Sequence, residues 1–180
     1  MIAPLVVVDA DVLGRNRTGD ESYVSALLAE LPKLAGGDFR FAAVTRHPEL
    51  VPDGVEPLAL PARSQPFRMA WSLPRLLARV RPALAHFQHV IAPGTRMPAV
   101  VTIHDLSFER DPSLMPPRDR FFFRTMVPRS VRRADRVLAV SQRTRQDLIE
   151  RYRIAESKIV VTPNGVDSIF HPGRDGNGDP

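Results

Sequence analysis

The stretch Val100-Val101-Thr102-Ile103-His104-Asp105 joins a run of mostly β-branched residues directly to two polar residues. Such a short, nearly apolar run predicts a strand covered on both faces, here over residues 99–103. Ligands of parallel sheets bind beyond the carboxyl ends of the strands, so His104 and Asp105 are candidate site residues. An imidazole there can donate to a hydroxyl or stabilise developing charge. The same pair also fits a structural histidine followed by a capping aspartate, and the spacing leaves both interpretations open.

Apolar runs and helical patterns alternate on both sides of this stretch. Strands are predicted over residues 5–8, 39–44, 55–60, 84–87, 136–140 and 158–162, and helices over residues 21–34, 67–80, 119–133 and 142–152. Gly36-Gly37 ends the first helix, Pro74 is placed at a kink or a first turn, and Pro128 breaks or bends the third helix. This alternation predicts an α/β fold with a parallel sheet and helices on both of its faces.

Several predicted strands are followed by polar loops. Gly19 lies in the first loop, where a helix start offers backbone N–H groups to an anion. The sequence contains neither GxGxxG nor GxxxxGK[ST], which argues against a dinucleotide fingerprint and a P-loop. Ser141 is predicted to cap the following helix, and no GxSxG motif marks it as a nucleophile. His86 and His89 have no metal-site spacing with His104, so no metal is expected.

The composition narrows the class of protein. A chain of 180 residues that is 43% hydrophobic and 25% charged is long enough to bury a core. The lack of cysteine excludes disulfides, thiolate zinc sites and a cysteine nucleophile. No apolar stretch approaches the roughly 18 residues that span a bilayer, and the first apolar run is too short for a signal peptide. We therefore expect a soluble, cytoplasmic protein.

The net charge of +5 is concentrated in two arginine-rich blocks. Residues 63–81 hold five arginines and no acid, and residues 117–136 hold seven arginines against two aspartates. Such blocks indicate an anionic partner: nucleic acid, a phosphorylated substrate or an anionic membrane. No RNA- or DNA-reading motif is present, so nucleic acid is not expected.

The second basic block includes three consecutive phenylalanines, and it has two interpretations. In the simpler one, Phe122, Met126 and Val127 lie in the core and the arginines form a solvated face. In the other, residues 118–133 contact the inner face of an anionic membrane, with lipid head groups bound by Arg118, Arg120, Arg124, Arg132 and Arg133.

The ordered motifs resemble the N-terminal domain of family 4 glycosyltransferases, which are retaining enzymes of the GT-B fold. The resemblance covers about residues 5–172. It is carried by Val8-Asp9-Ala10-Asp11, Arg17-Thr18-Gly19, Val101-Thr102-Ile103-His104-Asp105-Leu106-Ser107-Phe108, Arg132-Arg133-Ala134-Asp135-Arg136-Val137, Ala139-Val140-Ser141 and Lys158-Ile159-Val160-Val161-Thr162-Pro163-Asn164-Gly165-Val166-Asp167. The expected fold is therefore Rossmann-like, as in the N-terminal half of a GT-B enzyme.

This resemblance implies roles for individual residues. The catalytic pair is His104 and Asp105, with His104 against the transferred sugar. The donor-binding residues are Thr18, Gly19, Ser141, Asn164 and Gly165, and the acceptor-binding residues are Asp11, Arg15, Arg17 and His89. A nucleotide-sugar is the co-substrate, and neither a cofactor nor an essential metal is implied. Where many members have a second glycine, this chain has Asp20-Glu21, and these carboxylates must turn away from a diphosphate or cap the helix.

The resemblance also implies a domain organisation. Residues 1–172 form the acceptor-side domain, residues 173–180 a linker stub or disordered tail, and the C-terminal donor-binding domain is absent. The whole enzyme would transfer a hexose, with retention, to a lipid-linked, polysaccharide or small-molecule acceptor, and this domain alone would be inactive. The alternative is a non-catalytic basic α/β module that binds an anionic membrane or another anionic partner.

Overall fold

Seven strands form one sheet in a computed structural model that describes residues 3–15, 18–62 and 64–166. Every neighbouring pair is parallel, in the order β3-β2-β1-β4-β5-β6-β7. The strands are β1 (Leu5–Asp9), β2 (Arg40–Thr45), β3 (Val55–Ala59), β4 (Leu84–Gln88), β5 (Ala99–Ile103), β6 (Arg136–Ala139) and β7 (Ile159–Val161). The predicted fold class, a Rossmann-like α/β sheet, is confirmed.

The strand order creates a crevice between β1 and β4. The chain runs outward from β1 through β2 to β3, returns to place β4 beside β1, and then continues outward in the other direction. Loops that leave the carboxyl ends of β1 and β4 therefore diverge, which is where open parallel sheets bind ligands.

Helices cover both faces of the sheet. They are α1 (Thr18–Ala35), α2 (Gln65–Phe67), α3 (Leu73–Val80), α4 (Ser107–Arg110), α5 (Pro117–Arg133) and α6 (Gln142–Tyr152). On one face, Val24 and Leu28 of α1 pack with Val8 of β1. On the other face, Leu73 of α3 packs with Val7, the neighbour of Val8, because successive strand residues point to opposite faces. No helix in the described part of the chain is long and apolar enough to cross a membrane.

The first helix ends where predicted and begins earlier. It stops at Ala35, and Gly36 and Gly37 follow with φ of +54° and +97°, a region that glycine enters without strain. Its start at Thr18 lies three residues before the predicted start at residue 21. The first turn thus includes Gly19 and Asp20, and this brings both residues to the edge of the sheet.

The arginine-rich helix α5 differs from prediction in two respects. Of the two alternatives predicted at Pro128, the break is wrong, since the helix continues through the proline with Val127 and Val131 fully buried on either side, and the bend stays a prediction. Phe122 is wrongly predicted as a core residue: it is 44% exposed, and its neighbour Phe123 is the one that packs inward. Val127 and the partly buried Met126 are confirmed as core contacts.

A π-helical turn, Arg68–Ser72, joins α2 to α3. Leu73 N–H donates to Arg68 C=O, five residues back, and Pro74 follows in the first turn of α3 as predicted. Because Pro74 has no backbone N–H, the series of α-helical hydrogen bonds would be interrupted here even without the π-helical turn. The extra residue rotates Arg68 into the interior, where its side chain is fully buried.

Candidate functional site

His104 stands at the carboxyl end of β5 and is the centre of a polar cluster. Its Nε2 lies 3.0 Å from Gln88 Oε1 at the end of β4. The Tyr23 ring of α1 meets its imidazole edge-on, with the ring centroids 4.8 Å apart. The His89 ring lies at 5.3 Å. Elements distant in the sequence thus surround the His104 ring, and its role as a site residue stays a prediction.

The backbone at His89 is strained. Its φ is +55°, and Val90 N–H donates to Gln88 C=O at 2.5 Å across a three-residue turn. His89 N–H donates to Thr102 C=O on β5 at 2.9 Å, which anchors the turn. A non-glycine residue in this region costs about 1–3 kcal/mol, and such strain concentrates at functional sites. The strain turns the His89 side chain towards His104.

The two carboxylates at the start of α1 have different environments. Glu21 accepts a hydrogen bond from Gly14 N–H at 2.6 Å and so faces the preceding loop. Asp20 faces the histidines: its Oδ1 lies 3.8 Å from His104 Nε2 and its Oδ2 lies 3.9 Å from His89 Nε2. Asp20 thus lies among the predicted site residues, and the expectation that both carboxylates turn away from a diphosphate or cap the helix stays a prediction.

Burial keeps the three histidines of this region neutral at neutral pH. It lowers the pKa of His86, which is enclosed between β1 and β5, to about 4. Burial also lowers the pKa values of His89 and His104, although the charge of Asp20 opposes it in both cases. His86 Nε2 is 2.8 Å from Thr102 Oγ1, and Tyr23 OH reaches the same hydroxyl at 3.3 Å. A polar chain therefore runs from the core to the surface beneath His104.

A cavity of about 420 Å³ opens beside His104 and brings three predicted site residues together: His104, Asp105 and Ser141. It is in the size range of small-molecule sites. Arg110 and Arg143 also line it, and both pair with Asp147, which lies in the same wall, so the cavity is lined by charges of both signs. The arrangement could accept an anionic or hydroxyl-rich ligand against His104.

Two of these cavity residues also have structural roles. Ser141 Oγ accepts from Thr144 N–H at 3.0 Å, which confirms the predicted N-cap of α6. Thr144 Oγ1 then donates to His104 C=O at 3.0 Å, so the cap fixes the backbone of the candidate catalytic residue. Asp105 accepts from Ser107 N–H at 2.7 Å at the start of α4, as the capping interpretation predicts. Burial raises the pKa of Asp105, but the hydrogen bonds from Ser107 outweigh it and lower the pKa below its ordinary value.

On the other side of the crevice, Asp11 is almost fully buried among arginines. It pairs with Arg15, with Arg46 at 2.9 Å and with the buried Arg68 at 3.1 Å. Burial raises the pKa of Asp11, although Arg68 opposes it. Gln65 Oε1 accepts from Arg15 at 3.2 Å and from Arg46 at 2.9 Å. The guanidiniums of Arg15 and Arg46 therefore form a partly exposed pair, and roles for Asp11 and Arg15 towards an acceptor remain predictions.

The remaining predicted residues are not gathered into this cluster. Gly19 lies in the first turn of α1, with open space where a Cβ would stand. Asn164 and Gly165 follow β7, two strands away from β5, and are exposed. Thr18 begins α1, and Arg17 lies outside the described residues, as do the domain boundary at 172 and the tail 173–180.

Sequence reasoning missed several residues that build the site: Asp20, Tyr23, Arg46, Arg68, His86 and Thr102. The sequence indicated Asp20 only as an unfavourable charge near a phosphate, yet it lies close to both His89 and His104. Nothing in the sequence distinguishes Arg68 from the other arginines, because the π-helical turn that buries it depends on its packing against β1.

Solved structures with low sequence identity share this parallel α/β architecture. A glycosyltransferase from Rickettsia africae is 18% identical with a TM-score of 0.57, covering 93% of this chain and 44% of its own. A UDP-GlcNAc 2-epimerase from Methanocaldococcus jannaschii is 14% identical with a TM-score of 0.54, covering 87% and 44%. A sucrose-phosphate synthase structure from Thermosynechococcus elongatus is 14% identical with a TM-score of 0.51, covering 91% and 90%. The fold is thus that of a GT-B half, and the chain spans about 44% of the first two relatives.

The sequence itself matches Glycosyltransferase Family 4 over residues 18–169. The chain therefore belongs to this family and corresponds to its N-terminal domain, as the resemblance indicated. A comparison with curated protein sequences gives no significant match.

Proposed function

We propose that this chain is the acceptor-side domain of an enzyme that transfers a hexose from a nucleotide-sugar, with retention, to a lipid-linked, polysaccharide or small-molecule acceptor. The observation that carries the proposal is the position of His104. It directly follows β5, the strand beside β4 at the crevice between β1 and β4, and it lines a cavity that also contains Ser141. Family membership supports glycosyl transfer as the chemistry.

In this proposal His104 lies against the transferred sugar. Burial lowers the pKa of its imidazole, so the ring is neutral and donates a hydrogen bond rather than repelling a developing oxocarbenium charge. Its main chain is fixed by Thr144 and its ring by Gln88, and such preorganisation is what allows a dipole to stabilise a transition state.

The donor and the acceptor approach from different sides of His104. The open space above Gly19, at the N-terminus of α1, suits a diphosphate that accepts backbone N–H groups. The Arg15 and Arg46 pair suits the acceptor side. A donor phosphate oxygen, rather than a metal, activates the acceptor hydroxyl. A second domain supplies most donor contacts, so this domain alone does not transfer sugar.

Calorimetric titration with UDP-, GDP- and ADP-sugars tests the proposal. We expect no measurable binding by this chain and binding of one nucleotide class when it is extended by a donor-binding domain. Tight donor binding by this chain alone, or no binding by the extended protein to any nucleotide-sugar, would contradict the two-domain proposal.

A second candidate function, docking on an anionic membrane, is favoured by one observation on α5. Phe121 is 74% exposed and Phe122 is 44% exposed, beside the exposed Arg118 and Arg124. Exposed aromatic rings with flanking arginines are typical of interfacial helices. Phe123 of the same helix touches His89, so docking here would bring the candidate site close to a lipid-linked acceptor.

A further inference from the structure

Asp20, His89 and His104 offer three metal-ligand atoms in one place. One ligand atom from each residue, a carboxylate oxygen and two imidazole nitrogens, lies within 4.8 Å of the other two. The donors come from the first turn of α1 and from the residues directly after β4 and β5, so three separate elements position the cluster. Around a tetrahedral Zn²⁺, nitrogen and oxygen ligands lie about 3.4 Å apart. The imidazole nitrogens lie 3.8 and 3.9 Å from different oxygens of Asp20, and with all three ligand atoms within 4.8 Å of one another an ion would draw them together by at most about 1.4 Å.

The charge of Asp20 makes this arrangement selective for a cation. In the described part of the chain, no arginine or lysine forms an ion pair with Asp20, and the groups that face its two oxygens are imidazoles. Both imidazoles are partly buried, and an ion that binds His104 Nε2 displaces the proton that this atom donates to Gln88 Oε1. The carboxylate is 42% exposed, so it can shift towards an ion and leaves a path for entry.

The strained turn at β4 supports a ligand role for His89. Its φ of +55° and the 2.5 Å hydrogen bond across Gln88–Val90 hold the imidazole over Asp20 at an energetic cost. Gln88, on the same turn, adds a possible fourth ligand, because its Oε1 lies 3.0 Å from His104 Nε2. Two nitrogen and two oxygen donors fit a closed tetrahedral set.

We propose that Asp20, His89 and His104 bind one transition-metal ion of the Zn²⁺ or Co²⁺ class, with Gln88 as the fourth ligand. Imidazole-rich sites favour these metals, whereas Mg²⁺ and Ca²⁺ require oxygen ligands throughout. Ion binding itself does not depend on the proposed function. The consequence of ion binding, in contrast, rests on the proposed function. An ion on His104 Nε2 would occupy the atom that faces the transferred sugar, so the ion acts as an inhibitor that competes with the donor and not as a cofactor.

Cobalt binding to the full chain, without a histidine tag, tests the site without any enzymatic assay. Titration with Co²⁺ at pH 7.5 should produce the intense visible absorption of a four-coordinate complex at one ion per chain, and equimolar Zn²⁺ should remove it. Asp20→Asn and His89→Gly should each weaken binding at least about tenfold. Glycine is chosen at position 89 because it adopts a positive φ without strain.

His47→Ala is the matched control, since His47 is an exposed imidazole paired with Glu49 outside the cluster. It should leave the cobalt spectrum and affinity unchanged. Circular dichroism of each variant establishes that it is folded. Absence of a four-coordinate spectrum in the wild type, or equal binding by the wild type, Asp20→Asn and His89→Gly, would overturn the proposal. Neither result bears on sugar transfer, which the nucleotide-sugar titration tests separately.

Discussion

The guanidinium of Arg68 donates to both carboxylate oxygens of Asp9, a residue 59 positions earlier at the end of β1. One of these bonds measures 3.2 Å, and Arg68 also reaches Asp11 at 3.1 Å. The fully buried Arg68 thus ties the helical segment 65–80 to the end of β1, the strand on one side of the crevice. The pairing compensates the charge of the two carboxylates, Asp9 and Asp11, that meet on this side of the crevice.

Replacing this arginine should strongly destabilise the domain. Arg68→Leu leaves Asp9 without its bidentate partner, and breaking one side of a buried pair costs about 3–5 kcal/mol. Urea denaturation should show this loss in the free energy of unfolding. Arg79→Ala, an exposed arginine on α3, should change it by less than about 0.5 kcal/mol. A loss below about 1 kcal/mol for Arg68→Leu would show that the ion pair is not needed for stability.

Two glycines in or near the loop after β1 should respond differently to alanine. At Gly14, φ is +76° and a Cβ would stand 2.8 Å from the His47 ring, so Gly14→Ala should cost at least about 1 kcal/mol. At Gly19 a Cβ meets no atom of the described residues within 4 Å, so Gly19→Ala should keep or slightly raise stability.

The Gly19→Ala variant also tests whether the donor diphosphate binds over Gly19. If a diphosphate lies over Gly19, the added methyl group should weaken nucleotide-sugar binding by the extended protein at least about tenfold while its thermal stability is retained. Calorimetry and thermal denaturation of the one variant measure both quantities. Unchanged donor affinity in Gly19→Ala would remove Gly19 from the donor site.

Acid should destabilise the domain partly through His86. Burial, assisted by the charge of His104 and opposed by that of Asp9, lowers the pKa of His86 to about 4, against about 6.5 when unfolded. Between these values the unfolded chain binds more protons than the folded one. The contribution of neutral His86 to the free energy of unfolding is therefore fully present above pH 6.5. It is lost as the pH decreases towards 4, and the loss is roughly 3 kcal/mol in all.

The contribution of His86 is isolated by His86→Gln, which keeps a polar partner for Thr102 and does not titrate. Urea denaturation at pH 7.5 and at pH 4.5 should show a drop for the wild type that exceeds the drop for His86→Gln by about 2–3 kcal/mol. Equal pH dependence of the two proteins would mean that His86 is accessible to protons in the folded state.

His104→Ala should abolish transfer by a protein that contains both domains. Loss of a preorganised group at a developing charge costs about 10²–10³ in turnover. Folding should survive, because the Thr144 bond is to the His104 carbonyl, which alanine keeps. Steady-state kinetics with His47→Ala as the control measures the effect, and near-normal turnover by His104→Ala would exclude the proposed role.

The sequence predicts the sheet well because short apolar runs in a parallel α/β fold can only be buried strands. It also places His104, Asp105 and Ser141 correctly at the carboxyl edge, since each of them follows a strand or its loop. It cannot predict which side chains meet across that edge. The contact of Asp20 with His89 depends on an earlier start of α1 and on the strained turn after β4, and the burial of Arg68 depends on a π-helical turn. These features arise from packing between elements, which no local pattern encodes.

The exposed aromatic face of α5 should bind anionic vesicles. Each exposed arginine near an anionic surface contributes about 1 kcal/mol, so Arg118→Glu should weaken cosedimentation with phosphatidylserine vesicles at least about fivefold at low salt. Phe121→Ser should weaken it further because the ring is 74% exposed and free to insert. Leu34→Ser is the matched control: Leu34 is equally apolar and 83% exposed, but it lies at the end of α1. Equal vesicle binding by all three variants and the wild type, or binding indifferent to lipid charge and to salt, would show that this face meets only solvent.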